Sequence, residues 1–135
     1  MNYRFLVVCA VLGLCVGSLA KNCSADVTVH TVSTHVGVSG MNNINPGIGI
    51  DYRDVRFGAL YNSFEKPSVY GAYIVPLHPR VRVGLGAVTG YEYRDGGFYG
   101  KTTGVLPLFA VEADITDNVS VLWFGRAINL ELKFR

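Results

Sequence analysis

The chain is patterned in twos. Val81, Val83, Leu85, Ala87, Thr89 and Tyr91 fall on one side of an extended segment, and Arg82, Gly84, Gly86, Val88 and Gly90 fall on the other. A period of two held over a stretch of this length predicts a strand with two unlike faces. After residue 20 no segment keeps a helical period. Short alternating runs separated by turn residues predict strands at 26–37, 47–53, 55–62, 68–76, 81–91, 105–115, 118–125 and 127–134.

The connections alternate in kind. Arg53-Asp54, Leu77 to Arg80 and Thr116-Asp117 are short, whereas Val38 to Pro46, Ser63 to Pro67 and Glu92 to Gly104 are longer. Short turns at one end and long loops at the other describe an up-and-down meander. Eight such strands close into an all-β antiparallel barrel with no free edge.

The faces extend from strand to strand. Ile48, Ile50 and Tyr52 share a side, as do Val55, Phe57 and Ala59, and Ile128, Leu130, Leu132 and Phe134. The opposite side carries Asp51, Arg53, Arg56, Arg82, Glu112, Asp114, Ser120, Asn129, Glu131 and Lys133, with Gly49, Gly58, Gly84, Gly86 and Gly90 among them. Glycine gains nothing on a solvated exterior. Inside an eight-stranded barrel it leaves room for long Arg and Glu side chains. The expectation is therefore a polar, packed lumen and an apolar outer face in lipid, with aromatics near the strand ends at the interfaces. A soluble periplasmic barrel with the faces reversed is the alternative. The stretch 68–76 has aromatics on both faces and cannot be oriented, and Pro107 calls for a bulge or a strand end.

Composition changes the picture at the N-terminus. Met1 to Arg4 are positive overall, Phe5 to Val16 are apolar, and Ser18-Leu19-Ala20 offers a cleavage site, so residues 1–20 read as a secretory signal peptide. A competing cut lies after Ala25. What remains, 21–135, is a single domain of about 115 residues holding one cysteine, Cys23, and no internal disulfide is possible. A formal net charge of +2 is too weak to suggest nucleic acid. The histidines His30, His35 and His78 lack metal-ligand spacing, and His30 and His35 fall on opposite strand faces, so neither a metal nor another cofactor is expected.

With its leader, its eight short strands and the segment Leu132-Lys133-Phe134, the chain resembles small bacterial outer-membrane barrels of the lipid A palmitoyltransferase and deacylase type. The pieces His35, Asn42-Asn43-Ile44-Asn45-Pro46-Gly47, Tyr61-Asn62-Ser63 and Val88-Thr89-Gly90-Tyr91 also resemble an uncharacterised set of short barrels from bacteria and their phages. The resemblance implies an outer-membrane location, membrane lipid or lipopolysaccharide as partner, and a monomer. It also implies His and Ser with an acidic partner at the outer rim.

Ser33 and His35 share a strand face roughly 6.5–7 Å apart, in the reverse of the deacylase order. They are the candidate nucleophile and base, with Glu65 or Glu92 to orient the imidazole. Asn62, Ser63, Asn45 and Tyr91 are candidate binding residues at the same rim, Asn62 or Ser63 as oxyanion donors. The bland alternative for His35 is a rim histidine bonded to loop backbone. For Asn42 to Gly47 it is a turn that uses the ease with which Asn and Gly go left-handed. Three functions remain open: a lipid A or phospholipid acyl-modifying enzyme, a non-catalytic envelope barrel that masks or binds surface molecules, and a soluble ligand-binding barrel.

Overall fold

The computed structural model describes residues 25–91 and 104–135. Residues 1–20, expected as a signal peptide, and Cys23 and Glu92 lie outside them. Eight strands follow in order: β1 (Asp26–His35), β2 (Ile44–Tyr52), β3 (Val55–Tyr61), β4 (Pro67–His78), β5 (Val81–Thr89), β6 (Val105–Asp114), β7 (Val119–Phe124) and β8 (Ala127–Phe134). Each pairs antiparallel with its sequence neighbour, and β1 pairs with β8, so the sheet is a closed up-and-down barrel.

The alternation sets the faces as expected. Phe57, Val69, Tyr73, Leu85, Phe109 and Trp123 are each at least half exposed on the outside. Arg56, Glu112, Glu131 and Lys133 are buried in the lumen, Glu131 completely. The register places β4 as well: Ser68 and Ala72 are buried and Tyr70 lines the interior, whereas Val69 and Tyr73 face out.

A bulge in β1 corrects the simple count of two. His30 pairs with Glu131 and Val32 with Leu130, so Thr31 is one residue too many. An extra residue shifts every later side chain to the other face. Hence His30 and Ser33 are both buried inside, and His35 takes the same face as Ser33. The two histidines are not on opposite faces. The partner strand is irregular at the same place, pairing Gly47 with His30 and Ile44 with Val32.

Other expectations change with it. Asn42 to Gly47 is not a left-handed turn: β2 begins at Ile44, and among the described non-glycines the positive φ values belong to Arg53 and Glu65. Arg53 leaves the lumen for the β2–β3 turn, where its guanidinium sits 5.4 Å from the centre of the Tyr52 ring. Pro107 makes no bulge. It pairs in register with Ala87, and it lies beyond the β6–β7 ladder, which stops at Ala110 opposite Phe124.

The glycines make room for a different side chain than expected. A Cβ at Gly49 would collide with the Tyr70 hydroxyl, and one at Gly58 would lie 2.7 Å from it and run into the β2 backbone. Gly86 is exposed and gives no lumen space. It permits close approach of β4, because a Cβ there would meet the backbone of Gly71 and Ala72. Gly49→Ala should therefore destabilise the barrel by roughly 1–3 kcal/mol through overpacking. Tyr70→Phe removes the colliding oxygen, so the double variant should lose less than the sum of the two singles. Urea midpoints of the four proteins measure this, and strict additivity would disprove the contact.

Candidate functional site

The lumen has two halves. Toward the short turns it is filled by charge. Arg56 forks onto Asp51, with Nη2 2.7 Å from Oδ2, and reaches Glu112 at 3.0 Å and Glu131 at 3.5 Å. Arg82 lies 2.9 Å from Glu112 and 3.4 Å from Asp114, and Lys133 bridges Glu112 and Asp114. Glu131 also accepts from Ser120 at 3.3 Å and lies 2.8 Å from His30 Nδ1. On its other side His30 Nε2 meets the Tyr70 hydroxyl at 2.7 Å. Buried charges persist only when paired in this way. This half is a plug.

Toward the long loops the inner face turns apolar. Leu60, Val88, Leu108, Leu122 and Phe124 line a cavity of about 60 Å³ whose floor is Arg56, Glu112, His30 and Tyr70, and whose upper wall includes Ser63, Asn45 and Tyr91. Tyr91 stacks edge-on against Phe64 and Phe124, with ring centroids 5.8 and 5.7 Å apart.

At the rim beside this cavity the polar residues sort themselves by partner. Ser33 Oγ donates to Asn45 Oδ1, and Asn45 in turn donates to the Tyr61 carbonyl at 3.2 Å. Ser33 is thus tied to β2, and the imidazole of His35 turns to other residues. Its Nδ1 lies 2.9 Å from Asn43 Oδ1 and its Nε2 lies 2.7 Å from Ser63 Oγ. An amide oxygen can only accept, so Nδ1 carries the hydrogen. Nε2 then presents a lone pair to the Ser63 hydroxyl.

Backbone bonds hold the three in place. Ser33 N donates to the Asn43 carbonyl at 2.8 Å, and Asn42 N donates to the Ser63 carbonyl at 3.1 Å, which joins the β1–β2 loop to the β3–β4 loop. Asn62 organises the β3–β4 loop. Its Oδ1 accepts from the backbone N of Phe64 and of Lys66, and its Nδ2 donates to Ser68 Oγ at 2.8 Å and to the Gly90 carbonyl at 2.6 Å. Both amide hydrogens are committed, which leaves none to offer an oxyanion. Glu65 is exposed at a positive-φ position of the same loop. The orienting atom the structure shows on His35 is the Asn43 oxygen, supplied by a neutral amide.

Sequence reasoning put Ser33, Ser63 and His35 at one rim but chose Ser33 as the partner. It missed Asn43 because a stretch of Asn and Gly reads first as a turn. The signal that could have found it was the acceptor oxygen of Asn43, eight residues from His35 on the loop returning beside β1.

By fold and site, then, this is a closed eight-stranded antiparallel barrel with an ion-paired lumen and a Ser–His–Asn hydrogen-bond relay at the long-loop rim. No family model, curated protein or solved structure matches the chain. The likeness to lipid A-modifying barrels extends to the barrel architecture, and no family stands behind it.

Proposed function

We propose that the protein is an outer-membrane barrel whose outer rim cleaves acyl esters. In this reading Ser63 is the nucleophile, His35 the general base, and Asn43 the residue that holds the imidazole. The observation that carries it is the relay itself, Asn43 Oδ1 to Nδ1 at 2.9 Å and Nε2 to Ser63 Oγ at 2.7 Å. A serine needs an adjacent base within that reach, and the base needs a third group to fix its tautomer.

The membrane part rests on the outer face. Apolar residues cover it between two sets of aromatics, with Tyr52, Tyr73 and Phe134 toward the short turns and Tyr61 and Trp123 toward the long loops. A nine-residue strand such as β5 extends roughly 30 Å and, tilted by about 40°, crosses about 23 Å, close to the usual apolar band of about 25 Å. Long loops are the extracellular side of such barrels, which sets the relay at the outer surface. The acyl esters of lipid A and of phospholipid reach that level, as do acyl esters on surface glycans. Lipid or lipopolysaccharide surrounds the barrel in this reading.

A non-catalytic envelope barrel is the second reading. The relay favours it too, because Asn43, His35 and Ser63 also pin two loops together. Four measurements separate the readings from each other and from the soluble barrel. Expressed in a Gram-negative host, the protein should fractionate with the outer membrane and change gel mobility on boiling. Leu85→Arg, on the outer face, should cost roughly 2–4 kcal/mol near the bilayer midplane. Recovery as a soluble periplasmic protein with Leu85→Arg harmless would overturn the membrane reading. Failure of the folded protein to change any ester, with lipid A and phospholipid acyl composition unaltered in mass spectra, would leave the non-catalytic barrel.

A further inference from the structure

Resting on the acyl-ester reading above, we infer that the site is selective for short acyl groups of two to four carbons, with the acyl chain entering the barrel and the alcohol part staying outside. The cavity beside Ser63 is the basis. Its walls include Leu60, Val88, Leu108 and Phe124, with Leu122 level with Glu112 at the floor, and these apolar side chains suit a short hydrocarbon tail. Its volume, about 60 Å³, is less than half of the roughly 150 Å³ apolar cavity that accepts benzene. Its floor cannot recede. Arg56 and Glu112 are locked in the ion network, and the Tyr70 hydroxyl is held by His30 and fitted against Gly49 and Gly58. A long chain in the lumen would have to break buried ion pairs.

The chemistry balances without any other reactant than water. The Ser63 hydroxyl oxygen attacks the ester carbonyl while its proton passes to His35 Nε2. The C–O bond to the alcohol breaks, and the alcohol leaves with that proton. Water then attacks the acyl-serine, gives a proton to Nε2, and releases the short carboxylic acid as Ser63 regains its hydrogen. O-acetyl groups on surface glycans belong to this class of ester, and the long chains of lipid A and phospholipid do not.

The test uses the full chain folded in detergent, its mobility shift on boiling confirming the barrel, with p-nitrophenyl acetate, butyrate, octanoate and palmitate. Acetate and butyrate should be cleaved, and octanoate should fall about tenfold or more below butyrate in kcat/KM, since even one ill-fitting methylene costs about tenfold or more. Ser63→Ala should abolish turnover of all four. Ala110→Leu, on the cavity wall, should lose butyrate before acetate. If that variant does not fold, Leu122→Ala should shift the preference toward octanoate. Ser63-dependent cleavage of octanoate or palmitate at the butyrate rate would overturn the short-chain assignment and leave the esterase reading intact. No Ser63-dependent cleavage of any ester would remove the esterase reading and this inference together. A preference unmoved by either wall variant would place the acyl group outside the lumen.

Discussion

Replacing Ser63 with alanine should leave a barrel of unchanged gel mobility and lower ester cleavage by on the order of 10³-fold or more, and His35→Ala should do the same. The double variant should be no slower than either single, because a nucleophile without its base and a base without its nucleophile fail at the same step. Ser33→Ala should keep most of the activity, since the Ser33 hydroxyl is bonded to Asn45 and the imidazole faces Ser63. Asn43→Ala should give a partial loss, as the imidazole regains its other tautomer. Rates on a soluble short-chain ester, taken with the boiling shift as a folding control, check all five variants. Full activity in His35→Ala would move the site elsewhere, and Ser33→Ala as damaging as Ser63→Ala would restore Ser33 as the nucleophile.

The largest loss of stability should follow removal of Arg56. Its guanidinium is shared by Asp51, Glu112 and Glu131, and all four side chains are largely buried. Arg56→Leu leaves these carboxylates with less counter-charge, and breaking a buried pair by removing one partner costs about 3–5 kcal/mol. The expected result is failure to give the compact unboiled band. Arg82→Leu should cost less, because the Arg82 side chain is 20% exposed and water can take over part of its role. Urea midpoints in detergent rank the two variants. Equal midpoints would mean that the network is not the plug described above.

Much of this barrel was legible in the alternation of the chain. Eight strands, their order and the polar identity of the inner face follow from residues such as Arg82, Glu112 and Glu131 standing in phase with one another. The places where reading failed share a physical cause. Periodicity is local, and a bulge is set by what the neighbouring strands require. Thr31 carries no mark of being the extra residue, so the faces of His30 and His35 were misjudged. Asn45 and Pro46 look like a turn, yet they occupy the stretch of β2 that faces the bulge. Gly49 and Gly58 were rightly expected to free lumen space. That the space belongs to Tyr70, on the strand next to Gly58 and two on from Gly49, is a tertiary fact. The site was legible as a set of residue types at one rim. Which serine faces the imidazole depends on how two loops meet, and no spacing in the chain encodes that.

The seam between β1 and β8 has a consequence for how the molecule is made. Glu131 and Lys133, both on β8, complete the charge network whose other members lie on β2, β3, β5 and β6, and His30 meets Glu131 across the seam itself. Until the last strand docks, Arg56, Glu112 and Asp114 each miss a partner, so a seven-stranded intermediate gains little from sealing its interior. Closure should therefore be the step that seals the interior, because the strand that completes the hydrogen-bonded ring also delivers the missing charges. A chain cut before β8 should therefore fail to give the closed, ion-paired barrel.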